Sequence, residues 1–145
     1  GLDGVLSTNI RRDIWRKIMT NISSNPIAAL TRLVTKDAGT IPGLTDIAAT
    51  LIREALQVAA ADGSDLRGEV DPEAMVRPAG GRTPGKSSML QDVEAGRPIE
   101  LDALVGAVQE IGLAVGVDTP FIDALLGLAR LFARTHGLYP EASAR

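Results

Sequence analysis

The sequence predicts an all-α domain, and three observations carry that prediction. Apolar residues recur every three or four positions, the spacing that lines one face of a helix. Pro and Gly punctuate the chain where helices should start and stop, as at Asp71-Pro72, Gly116, Thr119-Pro120 and Gly137. No segment alternates apolar and polar residues in the manner of a half-buried strand. A chain of 145 residues then suits a single domain, 1–145, of about five to seven helices of ordinary length.

Composition narrows the function classes. The formal net charge is −3, which argues against a nucleic-acid partner. There is no cysteine and a single histidine, so disulfides, thiolate metal sites and multi-histidine clusters are excluded; an all-carboxylate site stays open, though no metal is expected. No apolar run approaches the roughly 18 residues of a membrane span. Gly1-Leu2-Asp3-Gly4 has no leader pattern, so a cytoplasmic protein is expected. The chain opens at Gly1, and its first Met is Met19, as expected of a fragment of a longer protein.

Asn9 is placed to cap a helix from Ile10 to about Asn25. Ile10, Ile14 and Ile18 form its apolar stripe, extended by Trp15, Met19 and Ile22. Lys17 and Asn21 lie one above the other beside that stripe, and Asn25 continues the line only if the helix survives Pro26. A lysine there is expected to be partly desolvated, which favours the neutral amine and suits proton transfer. The plainer alternative is a snorkelling Lys17 and an Asn21 that caps a kink.

After a turn over 39–43, a helix from Leu44 or Thr45 carries Ile47, Leu51, Ala55 and Val58 on its core face and ends at Asp62-Gly63. Residues 64–84 are rich in Gly, Pro and charge, with one short helix opening at Asp71-Pro72 and a mobile loop beyond it. Ser87 and Ser88 open a short amphipathic helix that breaks at Gly96 and Pro98. From Leu101 to Val115 nearly every residue is apolar or small, predicting a helix buried on all sides whose glycines admit close neighbours. Gly116 ends it, Thr119 caps a last helix running from Phe121 to about His136, and the tail from Pro140 frays.

Gly80-Gly81-Arg82-Thr83-Pro84-Gly85-Lys86-Ser87 spells the phosphate-loop pattern GxxxxGKS. That pattern works between a buried strand and a long helix, and neither is predicted here. Nucleotide binding at Lys86 is therefore not expected.

Two runs carry a family resemblance. One is Ser87-Ser88-Met89-Leu90-Gln91-Asp92, leading to Glu100 at the next helix; the other is Trp15-Arg16-Lys17-Ile18-Met19-Thr20-Asn21 with Asn25-Pro26. Together they resemble the C-terminal helical domain of the ketopantoate reductase (2-dehydropantoate 2-reductase) family. The resemblance implies a preceding Rossmann domain, absent from this chain, that holds NADPH. It also implies a small 2-oxo acid substrate in the cleft between domains, reduced to a 2-hydroxy acid within pantothenate synthesis. Lys17 would be the general acid, and Asn21 and Asn25 would orient it and the substrate. Ser88 would bind the substrate carboxylate, and Glu100 would contact its hydroxyl or the lysine. The competing expectation is a non-catalytic association module, a homodimer built on the Gly/Ala-rich helix from Leu101.

Overall fold

The computed structural model describes residues 6–34, 40–77 and 85–140, which form helices and no strand. In chain order these are α1 (Ile10–Ile22), α2 (Asn25–Thr31), α3 (Pro42–Ala61), α4 (Pro72–Val76) and α5 (Ser88–Glu94). A sixth helix, α6, opens as a π-helical turn over Asp102–Gly106 and continues as α-helix over Ala107–Val115, and α7 covers Pro120–Thr135. Gly39, residues 78–84 of the glycine-rich loop and residues 141–145 of the tail lie outside the described residues.

Helix α3 is the axis of the domain. Leu51, Ile52, Ala55, Val58 and Ala59 have no exposed surface, and α1, α4, α6 and α7 all pack on α3. Against it sit Trp15, Met19 and Ile22 of α1, Val105 and Val108 of α6, and Ile122, Leu126 and Ala129 of α7. Each large side chain so buried is worth about 1.5–3 kcal/mol.

Several local expectations are corrected. The first helix does not run to Asn25: α1 ends at Ile22, and a turn at Ser23-Ser24 leads into α2. Pro26 has no N–H to offer Ile22, so the ladder fails there. Ile10 and Ile14 are 65% and 51% exposed, and the buried face of α1 is instead Trp15, Met19 and Ile22. Ile47 is likewise at the domain edge, 37% exposed. Helix α6 is not buried all round, since Leu113 is 76% exposed. Its glycines do serve close approach: a Cβ on Gly112 would lie 3.0 Å from the Val117 carbonyl oxygen and 3.3 Å from a Val58 methyl.

Thr119 holds the N-cap position of α7, but its hydroxyl donates to Asp123 Oδ1 at 3.0 Å. The capping is done by Glu54, a 7%-exposed glutamate on α3. Its Oε1 accepts from the Phe121 N–H at 3.0 Å and its Oε2 from the Ile122 N–H at 2.9 Å. A carboxylate at a helix N-terminus meets both the free N–H groups and the positive end of the dipole.

Two predictions follow from this packing. Glu54→Ala leaves two buried N–H groups without acceptors and should lower unfolding stability by about 2–4 kcal/mol in urea titrations, with Glu54→Gln losing less. The second concerns Asp62, at the C-cap of α3, whose Oδ2 accepts from the Trp15 indole N–H at 3.0 Å and from Arg11 Nε at 3.0 Å. The Arg11 bond does most to hold the Asp62 carboxyl below the usual range; desolvation opposes it and the Trp15 bond adds to it. Because the folded-state value is depressed, Asp62 stabilises the fold above the unfolded value of about 3.9. That contribution is lost as pH falls through the folded value. Thermal melts of wild type and Asp62→Asn should therefore differ at neutral pH and converge in strong acid.

Candidate functional site

The five residues singled out in the sequence lie on elements that the packing makes neighbours. Helix α2 packs on α5, and α1 packs on the π-helical turn of α6. Lys17 is exposed on α1, and Asn21, one turn on, is half-buried. The face they share also carries the exposed Ile10 and Ile14. This corrects one expectation: Lys17 is not desolvated within this domain, because the isoleucines beside it are themselves in the open.

Asn25 opens α2 and is 5% exposed. The preceding Ser24 hydroxyl donates to the Thr20 carbonyl at 2.9 Å and lies 3.4 Å from Asn25 Oδ1. Asn25 thus belongs to the junction that fixes how α1 ends, and its burial suits orienting more than open contact.

Ser88 is the first residue of α5 and is exposed, while Ser87 performs the capping, its Oγ accepting from the Leu90 N–H at 3.2 Å. Glu100 is exposed, and its backbone is pinned on both sides. Ile99 and Leu101 are each 1% exposed, and the Ile99 N–H donates to the Leu138 carbonyl at 2.9 Å. Two buried apolar anchors therefore turn the Glu100 carboxylate outward at the start of the π-turn.

That π-turn escaped the sequence reading. Asp102 at its start accepts from Arg130 Nε at 2.9 Å and from the Tyr139 hydroxyl, tying α6 to α7 and to the segment after it. Burial pushes the Asp102 carboxyl up, but the Tyr139 and Arg130 hydrogen bonds outweigh it and leave it below the usual range. A π-turn widens a helix locally and re-aims the side chains beside it. Aspartate three residues into an apolar helix was the available signal.

The concavity between α3 and α4, about 260 Å³, is lined by Asp46, Arg53, Glu73 and Arg77 among others and contains none of the five residues. Of its charges, Arg53 pairs with Glu73. Among the described residues no three His, Asp or Glu side chains gather as a metal site, and no helix is long and apolar enough to cross a membrane.

Of the phosphate-loop pattern, residues 80–84 lie outside the described residues. The element before it is helix α4 and the one after it spans only seven residues. Lys86 Nζ is paired with Glu94 Oε2 at 2.7 Å. Titration calorimetry with Mg·ATP should accordingly give no heat of binding; micromolar affinity abolished by Lys86→Ala would reverse that expectation.

The family model for the ketopantoate reductase PanE/ApbA C-terminal domain matches residues 9–133, and this chain belongs to that family. It is 40% identical over 139 residues to the 2-dehydropantoate 2-reductase of Mesorhizobium japonicum, a match covering 96% of this chain and 42% of that protein. Among solved structures it resembles D-mandelate dehydrogenase in complex with NADH and anilino(oxo)acetate. There the TM-score is 0.82 at 25% identity, over 95% of this chain and 45% of that one. It also resembles the dimeric ketopantoate reductase of Staphylococcus aureus, with TM-score 0.77 at 25% identity over 92% and 46% of the two chains. The chain spans about two-fifths of the length of the curated relatives it matches.

Proposed function

We infer that this chain is the substrate-binding, proton-donating half of an NADPH-dependent oxidoreductase that reduces 2-dehydropantoate or a similar 2-oxo acid to the 2-hydroxy acid. One observation carries the reading beyond family membership. Lys17 and Asn21 share an outward face of α1 with two large exposed isoleucines, and a soluble domain leaves such a face open where something covers it. The relatives are more than twice as long as this chain, so the covering body is the remainder of the protein.

The chain carries no GxGxxG run, and its described residues hold no strand to support one; on this reading the dinucleotide is held mainly by the remainder of the protein. The residues present fit the complementary role. A bound reduced nicotinamide supplies the hydride that adds to the ketone carbon. Lys17 offers the ammonium that stabilises charge gathering on the ketone oxygen and then gives up its proton there, yielding the hydroxyl. Covering the Ile10–Ile14 face strips water from Lys17, which strengthens that interaction and eases proton loss. Asn21 holds the amine from one turn away, and Asn25 fixes the end of the helix on which both depend. Ser88, at the opening of α5, offers its hydroxyl to the substrate carboxylate. Glu100 accepts from the substrate hydroxyl or from Lys17.

With the upstream domain restored, Lys17→Ala should lower kcat by about 10²–10⁴, the usual range for losing a general acid. Glu100→Ala should chiefly raise KM. Both side chains are exposed, so both variants should keep the wild-type circular dichroism spectrum. A folded Lys17→Ala enzyme with unchanged kcat on its true substrate would return Lys17 to the rank of a surface lysine.

A further inference from the structure

Leu138 and Tyr139 follow closely on α7, and the two reach back to opposite sides of Glu100. The Ile99 N–H, one residue before the glutamate, donates to the Leu138 carbonyl at 2.9 Å. Asp102, two residues after it, takes the Tyr139 hydroxyl on its Oδ2. Its Oδ1 is held from α7, by Arg130 Nε at 2.9 Å and Nη2 at 2.7 Å. Each oxygen of the Asp102 carboxylate therefore has its own donor, and the stretch from Ile99 to Asp102 is gripped at both ends. Glu100 is the exposed residue inside that grip.

Both halves of the clamp follow from local structure. Helix α7 ends in a left-handed turn at Gly137, φ +67°, a conformation that a side chain would strain. The Gly137 N–H donates to the Arg134 carbonyl at 3.2 Å and the Leu138 N–H to the Ala133 carbonyl at 2.7 Å. That pair of bonds closes a helix and fixes the direction of the chain leaving it. Leu138, 3% exposed, then anchors in the core, and the Arg134 guanidinium lies 4.9 Å from the Tyr139 ring centroid. On the other half, the Ala107 N–H donates to the Asp102 carbonyl five residues back, the bond that makes the π-turn. Gly106 leaves room for the ion pair: a Cβ there would lie 3.2 Å from Asp102 Oδ1 and 3.5 Å from Arg130 Nη2. Among the described residues no side chain caps the start of this turn, and the clamp takes the place of a cap. A carboxylate whose backbone is already placed loses less freedom on meeting a ligand, and so binds it more tightly.

We propose that Asp102, Tyr139 and Arg130 are positioning residues that hold the Glu100 carboxylate for the substrate. The proposal rests on the reading of Glu100 as a substrate contact, and it gives Tyr139, outside the helices, a part in substrate affinity.

The test is steady-state kinetics of the full-length protein, upstream domain included, with NADPH and 2-dehydropantoate. Tyr139→Phe removes only the hydroxyl and should raise KM about five- to tenfold with kcat changed less than about twofold, the scale of one hydrogen bond. Asp102→Ala should raise KM further, and adding Tyr139→Phe to it should change nothing more, since the hydroxyl acts through that carboxylate. The decisive comparison is the background without Glu100. On Glu100→Ala, neither Tyr139→Phe nor Asp102→Ala should raise KM again, whereas a merely structural role would raise it equally in both backgrounds. Circular dichroism checks that each variant folds, and if Asp102→Ala does not, the Tyr139→Phe cycle decides alone. A Tyr139→Phe enzyme with unchanged KM, or one that raises KM equally with and without Glu100, overturns the proposal and leaves the role of Glu100 standing. An inert Glu100→Ala instead overturns the functional reading, and the positioning proposal falls with it.

Discussion

The domain turns on a single buried carboxylate. Glu54 sits in the middle of the central helix, and its two oxygens receive the first two free N–H groups of α7. It joins residues separated by 67 and 68 positions, tying the start of α7 to the domain's axis. A charge in so apolar a setting is tolerated only because its partners are oriented donors at the positive end of a helix. The consequence reaches the surface: once the N-terminus of α7 is fixed on α3, one side of α7 must enter the core and the opposite side must leave it. Phe121, Leu128 and Leu131 are exposed for that reason.

A second constraint shapes the candidate site. The chain breaks between α1 and α2 because Pro26 cannot donate to Ile22, and it widens at the start of α6 in a π-turn. The first irregularity separates Asn21 from Asn25, and the second follows directly on Glu100. Regular helices alone would have drawn Asn25 into line with Asn21. The break instead places Asn25 in a buried junction and leaves Asn21 half-open.

The two exposed apolar faces differ in kind. The α1 face carries exposed Ile10 and Ile14 around a cation and an amide. The exposed α7 face carries Phe121, Leu128 and Leu131 with no charged residue on the same side. Both are left open by the same core, which is large enough to bury one side of each helix but not two.

The helical class, the punctuation at Asp71-Pro72 and Gly116, the short helix at Ser88 and the family were all legible in the sequence, because period and capping chemistry are local and survive without tertiary context. So was the placing of Lys17 and Asn21 one turn apart on one helix, which depends only on 3.6 residues per turn. What the tertiary structure decided was which face of each helix is buried. The isoleucines at 10 and 14 looked like core and are surface, because Trp15, Met19 and Ile22 span a face that α3 can reach. Thr119 looked like a cap and is not one, because Glu54 arrives from elsewhere to take its role. A sequence fixes what a helix offers on each side. Only the packing of distant segments determines which side is taken, because that choice is made by contacts between residues far apart in the chain.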